Sequence, residues 1–497
     1  MKFFLGLDIG SSSVKVALVN AANGKRIAVI QQPESEMAMD APVMGWAEQS
    51  PEDWWRYVCQ GVSEIKTTQN VSEEDIIGIG IAYQMHGLVL VDDQGKVLRK
   101  SIIWCDGRAV KIGEKAFRDL GLAYCKHHLL NAPGNFTASK LRWVLENDPE
   151  NYAKIFKFIL PGDYIAYRLT HKINSTISGL SEGVFWDFKN AKISKELLET
   201  LEIDPSLVPE LVATFSEQSK ISRTGAKESG LMEGTPILYR AGDQPNNALA
   251  LNVLNPGEVA ATGGTSGVMY AVTDNLDVAE YDKVNNFAHV NYDSNGETKI
   301  GKLLCINGAG IQYRWLLNNL SLGSYEEMNR LATEVEVGSD GVCLLPFGNG
   351  PERIFKNRDI GTTIVGLNLN RHHKGHLCRA ALEGIAFAFV YGFEIMQKDG
   401  VVPKVIRAGN DNLFRSEIFS TTIATLIQKE IEIYDTTGAV GAARACIVHT
   451  GGYEKFSSFV QNDYSMTYVP ENQSHTFTEA YHKWKGELHR ILKNETD

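Results

Sequence analysis

Two glycine-containing turns, half a chain apart, are the segments most suited to chemistry. Asp8 ends the apolar run Phe3 to Ile9 and precedes the polar turn Gly10-Ser11-Ser12-Ser13. Successive backbone N–H groups in such a turn can converge on an anion, and a neighbouring carboxylate suits Mg²⁺, which prefers oxygen ligands. For a single motif of this kind, an Asx-turn in an ordinary hairpin is the commoner explanation.

The same pattern recurs at residues 257–272. Val259-Ala260-Ala261 leads into the turn Thr262-Gly263-Gly264-Thr265-Ser266-Gly267, and a second apolar run follows. Each segment predicts two buried strands joined as a hairpin. Two such hairpins, each opening a domain, would allow two domains to hold a polyphosphate between them. Neither turn contains a lysine, so the phosphate charge must be met by backbone dipoles and a metal ion.

A second carboxylate is predicted at a strand-to-helix corner. Asp243 follows the strand-like segment Ile237 to Arg240 and precedes Pro245, which suits the first turn of a helix. At such a corner it can act as a general base toward a substrate hydroxyl. An aspartate near a helix N-terminus is also a routine cap worth ~1 kcal/mol, so the position alone does not establish catalysis.

Two further segments have the composition of a sugar pocket. Gln84-Met85-His86-Gly87 follows the predicted strand 76–82, and Trp104-Cys105-Asp106-Gly107-Arg108 follows a shorter apolar run. A histidine, an aspartate and an aromatic ring can bond hydroxyl groups or cover the apolar face of a sugar. Capped loops without a ligand explain the two segments equally well.

Two other motifs are discounted. Gly179-Leu180-Ser181-Glu182-Gly183 has the letters of a nucleophile elbow, but the residues after it are strand-like and not helical, which argues against a serine hydrolase. His372, His373 and His376 stand at the start of a predicted helix, where only the first and third share a face. A solvated helix start explains them better than a metal site.

Composition predicts a globular protein, and the alternation of strand and helix patterns predicts an α/β fold. The 497 residues are 43% hydrophobic and 22% charged, enough for about two to four domains. The formal charge of −11 argues against nucleic acid or anionic membrane as partners. Seven scattered cysteines predict neither disulfides nor a zinc site, and no secretory or membrane-spanning segment is expected, so we expect a cytoplasmic protein. Strand-like runs alternate with the predicted helices 137–146 and 377–397, which favours α/β layers.

Together these segments resemble the FGGY carbohydrate kinases, a family within the actin-like ATPase superfamily. The resemblance rests on the order and spacing of short motifs: Leu7 to Ser12, Trp46 to Gln49, Gln84 to Gly87, Trp104 to Arg108, Phe136 to Trp143 and His376 to Gly384. It implies an α/β fold of two ribonuclease H-like domains with a cleft between them. Domain 1–244 would bind the sugar and carry the first phosphate loop, and domain 245–497 would bind the nucleotide.

The resemblance also implies an activity: Mg²⁺-dependent transfer of the γ-phosphoryl group of ATP to a sugar hydroxyl. D-xylulose, phosphorylated at carbon five, is the acceptor it favours. The alternatives are ribulose, fuculose, rhamnulose, gluconate or glycerol, and outside the kinases a nucleotide-dependent switch of the actin type. A homodimer is compatible with the sequence.

Site residues follow by carry-over from the family. Asp243 would be the catalytic base, and Asp8 would be catalytic with it by holding Mg²⁺-ATP, so that both would be metal ligands. The implied sugar-binding residues are Gln84, Met85, His86, Trp104, Asp106, Asp243 and Gln244. The implied nucleotide-binding residues are Gly10, Ser11, Ser12, Lys15, Gly264, Thr265, Ser266, Gly308, Gln312, Gly409, Asn410 and Asn412.

Two segments depart from the family pattern. Where xylulose-phosphorylating members usually read Gly-Gly-Gly-Asp-Asn, this chain has Ala241-Gly242-Asp243-Gln244-Pro245, which is similar to the glycerol-phosphorylating members. The adenosine loop, Arg407 to Asn412, keeps one glycine where two or three are usual.

Overall fold

The computed structural model describes residues 1–472 and 474–494. Two large mixed sheets form the framework. The N-terminal sheet has six strands in the spatial order Ser219–Lys220, Pro236–Gly242, Ile76–Tyr83, Phe3–Ile9, Val14–Asn20 and Arg26–Gln32. The C-terminal sheet has seven, in the order Asn285–Ala288, Ile300–Ile306, Gly267–Thr273, Glu258–Gly263, Val405–Gly409, Ile431–Tyr434 and Tyr464–Tyr468.

The two sheets share one topology. In each, three strands that are neighbours in space pair antiparallel. Two further strands, which the chain reaches through helical connections, extend this group in parallel. Each central hairpin is one of the two predicted from the glycine-containing turns. This repetition, together with helices on the sheets, confirms the α/β fold of two related domains.

Sixteen α-helices are assigned among the described residues. They are Pro51–Gln69, Val110–Leu120, Leu122–Tyr124, Thr137–Asn147, Pro149–Tyr152, Pro161–Thr170, Ile177–Glu182, Lys195–Thr200, Arg223–Ser229, Asp243–Ala250, Gly310–Asn319, Tyr325–Thr333, Lys374–Lys398, Glu417–Ile427, Gly438–Val460 and Ser474–Asn494. Short strand pairs lie outside the two sheets: Glu48–Gln49 with Ser101–Ile102, Val89–Val91 with Lys157–Ile159, Asn174–Thr176 with Glu210–Val212, Trp186–Asp187 with Lys192–Ile193, and Cys343–Phe347 with Gly361–Val365.

Helix Gly438–Val460 packs on the N-terminal sheet, although in sequence it lies between two strands of the C-terminal sheet, Ile431–Tyr434 and Tyr464–Tyr468. Glycines in two central strands allow this close approach. A methyl group added at Gly6 would lie 1.9 Å from the carbonyl oxygen of Ala439, and one added at Gly80 would lie 1.8 Å from that of Ala442. Since real contacts are longer than 3 Å, any side chain at either position would push the helix off the sheet.

Helix Lys374–Lys398 forms the centre of the C-terminal domain. Its length and apolar composition are those of a membrane-spanning helix, but 83% of its most apolar 18-residue window is buried inside the protein. Its apolar side chains belong to one cluster with the strands of the C-terminal sheet. The apolar character of this helix is therefore explained by burial in the core.

Candidate active site

The carboxyl ends of three adjacent parallel strands carry Asp8, Gln84 and Asp243. Strand Ile76–Tyr83 lies between the other two, with Tyr83 opposite both Ile9 and Gly242. Ligands of open α/β sheets bind at this edge. The structure therefore brings three predicted site residues, far apart in sequence, to one place.

Asp8 and Asp243 are two half-buried residues whose carboxyl groups influence each other. Burial raises the pKa of Asp243 to about 7, and the negative charge of Asp8 contributes to this increase. Burial also raises the pKa of Asp8, while the nearby Lys15 lowers it. Two such carboxyl groups repel each other when both are ionised, and this repulsion favours a proton or a cation between them.

Asp8 lies against the N-terminus of helix Gly438–Val460. A methyl group added at Gly438 would lie 2.6 Å from Oδ2 of Asp8 and 3.0 Å from Oδ1 of Asn247. The neighbouring Asn246 donates from Nδ2 to the carbonyl oxygen of Gly438 at 2.9 Å. Oxygen atoms of Asp8 and Asn247 therefore converge near this helix end, and hard cations prefer such donors.

The first turn, Gly10 to Ser13, is held by hydrogen bonds to its carbonyl oxygens. The N–H of Gly10 donates to the carbonyl oxygen of Ser13 at 3.0 Å, and the N–H of Met37 donates to that of Ser12 at 2.8 Å. Nε2 of Gln49 donates to the carbonyl oxygen of Ser11 at 2.7 Å. Lys15 is opposite Asp8 in the hairpin.

Gln84, Met85 and His86 line the wall beside Asp243. Nε2 of Gln84 donates to Oε1 of Gln49 at 3.2 Å, while its own Oε1 is buried without a partner among the described residues. Met85 is buried against Gly242. His86 has a φ of 61°, and burial lowers its pKa to about 3, so its ring is neutral at physiological pH.

Trp104 and Asp106 lie in the second predicted sugar segment, but in different surroundings. Trp104 is 52% exposed and donates from Nε1 to Oγ of Ser11 at 3.3 Å, so its ring lies next to the first turn. Asp106 is fully buried, accepts from the N–H of Ala47 at 2.6 Å and forms an ion pair of 2.7 Å with Arg108. The carboxylate of Asp106 is thus already engaged by the protein. Gln244, the second residue of helix Asp243–Ala250, is half-buried.

The second turn borders a cavity of about 520 Å³ in the C-terminal domain. Gly264 and Thr265 form one wall, and their carbonyl oxygens accept from the N–H groups of Gly310 and Ile311 at 3.0 Å. The opposite walls are Tyr313, Arg314, Tyr325, Asn329, Leu413 and Arg415. Ser266 lies in the same turn and is half-buried.

Gly308 and Gln312 line a second cavity, of about 630 Å³, on the other side of helix Gly310–Asn319. Oε1 of Gln312 accepts from Oγ1 of Thr362 at 2.7 Å. The buried carboxylate of Glu352 accepts from the N–H groups of Asn307 and Gly308 at 2.8 to 3.1 Å. Of the predicted nucleotide-binding residues, Gly264 and Thr265 therefore line the first cavity, and Gly308 and Gln312 line the second.

The predicted adenosine loop follows strand Val405–Gly409, close to the first cavity. The N–H of Asn410 donates to the carbonyl oxygen of Tyr434 at 2.8 Å. Nε of Arg415, which lines the cavity, donates to the carbonyl oxygen of Asn410 at 3.1 Å. The side chain of Asn412 lies outside the described residues.

Family models match nearly the whole chain. The FGGY family of carbohydrate kinases, N-terminal domain, matches residues 3–250, and the C-terminal domain of the same family matches residues 259–449. The chain belongs to the FGGY family of carbohydrate kinases. It is thus a phosphotransferase acting on a carbohydrate, and its two sheets are those of the actin-like ATPase fold.

Individual relatives of this FGGY kinase agree with the family match. Xylulose kinase of Bacillus subtilis is 28% identical over 466 residues, covering 91% of this chain and 89% of that protein. The crystal structure of xylulose kinase from Rhodospirillum rubrum is 26% identical, with a TM-score of 0.86 over 99% of this chain and 100% of that one. Glycerol kinase of Plasmodium falciparum with ADP has a TM-score of 0.87 at 19% identity, covering 99% of this chain and 98% of that one. This last likeness shows the fold alone.

Lys140 is a residue of this FGGY kinase whose function the sequence interpretation did not identify. It is fully buried, and its Nζ donates to the carbonyl oxygens of His86 and Ile103 at 2.8 and 2.9 Å. It therefore joins the two sugar segments. The signal was present in the sequence, because Lys140 lies on the apolar face of its helix with Leu141 and Val144.

The histidine cluster lies apart from this site, and its tautomers argue against metal binding. Side-chain atoms of Asp340, His372 and His376 lie within 4.8 Å of one another. Backbone N–H groups of Asn368 and His373 donate to Nδ1 of His372 and His376 at 2.9 and 3.2 Å. In its neutral form each ring therefore carries its hydrogen on Nε2, and this nitrogen has no free lone pair to offer a metal ion.

Proposed function

We propose that this FGGY kinase transfers the γ-phosphoryl group of ATP to the carbon-five hydroxyl of D-xylulose. The observation that carries the proposal is the pair of interacting carboxyl groups, Asp8 and Asp243, at the end of the parallel strands beside the segment Gln84 to His86. The names of the most similar relatives support D-xylulose as the acceptor. The change to Gly-Asp-Gln at residues 242–244 makes glycerol the most informative competing acceptor.

Asp243 is proposed to accept the proton of the attacking hydroxyl. A base works best when its pKa lies near the working pH, and burial with the neighbouring charge of Asp8 brings the pKa of Asp243 to about 7. Phosphoryl transfer depends mainly on positioning and charge stabilisation. Asp243 therefore contributes by orienting the hydroxyl as well as by taking its proton.

Mg²⁺ is proposed to be held by Asp8 and Asp243. The fit rests on their half-buried, mutually repelling carboxyl groups, with Oδ1 of Asn247 near Asp8. When bound, the ion supplies positive charge to the phosphate oxygens, which neither turn provides through a lysine of its own. Lys15 is the nearest cation along the first hairpin and is proposed to contact the nucleotide with the N–H groups of Gly10, Ser11 and Ser12.

The nucleotide is proposed to lie along the second turn, with its base in the 520 Å³ cavity. Gly264, Thr265 and Ser266 would contact phosphate oxygens, and Gly409 and Asn410 would border the base. Gly308 and Gln312 would contact the nucleotide from the other cavity. The division into a sugar domain, 1–244, and a nucleotide domain, 245–497, the cytoplasmic location and the homodimer stay predictions.

A coupled assay of ADP release with a panel of acceptors tests the proposal. The panel contains D-xylulose, D-ribulose, L-fuculose, L-rhamnulose, gluconate and glycerol, each with Mg²⁺-ATP. We expect D-xylulose to give the highest kcat/KM and the product to carry phosphate at carbon five. A higher kcat/KM for another acceptor would replace the substrate, and ATP turnover indifferent to every acceptor would favour a nucleotide-dependent switch.

A further inference from the structure

Helix Ile177–Glu182 brings a carboxyl group into the wall of the proposed sugar site. This is the segment with the letters of a nucleophile elbow. Oγ of Ser181 donates to the carbonyl oxygen of Ser178 at 2.7 Å and accepts from the N–H of Ala288 at 2.9 Å, so it is not a free nucleophile. The residue of this segment that faces the site is Glu182.

Glu182 lies directly behind the predicted base. A methyl group added at Gly242, the residue before Asp243, would lie 2.2 Å from Oε2 of Glu182 and 2.6 Å from Cγ of Met85. The carbonyl oxygen of Glu182 is 2.9 Å from Nδ1 of His86 and holds that ring. The carboxyl group of Glu182 therefore lies beside the backbone of Gly242, next to Asp243, and its main chain contacts the ring of His86.

Among the described residues this carboxyl group has no hydrogen bond of normal geometry. Glu182 is 1% exposed, neither Oε1 nor Oε2 has such a bond, and the backbone N–H of His86 only moderates the rise in its pKa. Burial, with the nearby negative charge of Asp243, raises the pKa of Glu182 well above its ordinary value. The closest cation, Lys140, is engaged with two carbonyl oxygens. Buried polar groups are nearly always hydrogen-bonded, so two orphaned oxygens indicate a missing ligand.

We propose that Glu182 is a sugar-contacting residue, whose carboxyl group hydrogen-bonds the hydroxyl groups next to the one that is phosphorylated. The proposal rests on the proposed function and adds a specificity-determining residue to it. A protonated carboxyl group donates from one oxygen and accepts at the other, which suits two vicinal hydroxyl groups of a ketose. A phosphate is an unsuitable ligand at this position, since Glu182 and Asp243 together present acidic groups.

The test pairs removal of the carboxyl group with removal of single hydroxyl groups from the acceptor. Glu182→Ala and Glu182→Gln are assayed with the full ketose and with its 3-deoxy and 4-deoxy analogues. With the full ketose we expect Glu182→Ala to lower kcat/KM roughly two- to tenfold, the effect of losing a hydrogen bond between neutral groups, because its raised pKa keeps Glu182 protonated. With the analogue that lacks the contacted hydroxyl, parent and variant should differ by less than about twofold.

Glu383→Gln provides the control for loss of a buried glutamate. Its carboxylate is satisfied by Arg379, the N–H of Gly338 and the hydroxyl of Ser339 in the C-terminal domain. We expect Glu383→Gln to lower the melting temperature without changing the ratio of kcat/KM between the ketose and its deoxy analogues. The Glu182 variants should change that ratio while remaining folded by circular dichroism.

Three outcomes separate this inference from the proposed function. Equal losses with the ketose and both analogues would overturn the sugar contact. A drop in melting temperature with unchanged sugar KM in both Glu182 variants would also overturn it, because it would assign the carboxyl oxygens to buried water. If the parent enzyme phosphorylates no member of the acceptor panel, the proposed function fails first. Isothermal titration of the parent and Glu182→Ala with D-xylulose, without nucleotide, then reports the sugar contact on its own.

Discussion

The substitution Asp243→Asn removes the charge of the proposed base and keeps the size and shape of its side chain. The pKa of Asp243 is about 7, against an ordinary value of 3.8, because the folded protein disfavours the ionised form. At about 1.4 kcal/mol for each tenfold change, the difference corresponds to about 4 kcal/mol. An asparagine carries no charge at any pH. We therefore expect the variant to be more stable than the parent above neutral pH and nearly inactive.

The pH dependence follows from the sign of this shift. A carboxyl group with a raised pKa in the folded state takes up protons on folding, so its stabilising effect is present below about pH 4 and is lost as pH rises to 7. The asparagine side chain of the variant does not titrate. The free energy of unfolding of Asp243→Asn minus that of the parent should therefore grow from near zero at pH 4 to about 4 kcal/mol at pH 7 and then level off.

The assay is urea unfolding followed by tryptophan fluorescence, at pH 4 to 8, in EDTA. A parallel series contains Mg²⁺, which should stabilise the parent more than the variant, since a ligand stabilises only the state that binds it. In the activity assay at pH 8, we expect kcat to fall by about 10²- to 10⁴-fold, the usual contribution of a general base.

Three results would refute this reasoning. A stability difference that does not change between pH 4 and pH 7 would mean that Asp243 is not held in a charge-disfavouring environment. Near-normal turnover by Asp243→Asn would mean that another group accepts the proton. Loss of stability by the variant at pH 8 would show that the ionised carboxylate makes favourable contacts that the folded protein requires.

Three further predictions test the parts around this base. Gly80→Ala should lower the free energy of unfolding by about 1–3 kcal/mol, because its methyl group would meet the carbonyl oxygen of Ala442 at 1.8 Å. The control Gly486→Ala, in a helix with open space around it, should raise the free energy of unfolding by up to about 1 kcal/mol. Equal effects of the two substitutions in urea unfolding would contradict the close packing at Gly80. Lys140→Met should raise the KM for the ketose and leave the KM for ATP unchanged, because it removes the hydrogen bond to the carbonyl oxygen of His86. A change in the KM for ATP alone would contradict a position of Lys140 beside the sugar site. His86→Ala should raise the KM for the ketose by the same factor at pH 6 and pH 8, because the ring, with a pKa of about 3, is neutral at both; an effect that varies with pH would show that the ring titrates in that range.

Local pattern predicted much of the fold correctly. The two glycine-containing turns predicted hairpins that the structure confirms at Phe3–Ile9 with Val14–Asn20 and at Glu258–Gly263 with Gly267–Thr273. The helix predicted over 137–146 is observed as Thr137–Asn147, and Asp243 does begin a helix after a strand. These features depend on residues close in sequence, so pattern and turn chemistry suffice to predict them.

The site was predicted less completely, because burial and long-range contacts decide the state of each group. Asp106 and Glu182 are both fully buried acids, and although Arg108 stands two residues from the first, the sequence does not show that either acid is buried. Asp106 is paired with Arg108, while Glu182 has no partner among the described residues. The sequence interpretation assigned the first to the sugar and discounted the segment of the second.

By itself, the sequence predicted the family, the two hairpins with their phosphate-loop candidates, and the helices near residues 137–146 and 377–397. Only the tertiary structure decided which groups share a site. Asp8 and Asp243 are brought together by the parallel strands on either side of Ile76–Tyr83, and Gly438 reaches Asp8 because Gly6 and Gly80 let a distant helix rest on the sheet. The physical reason is that strand and helix patterns are local, whereas the charge state and partners of a buried group depend on packing between segments hundreds of residues apart.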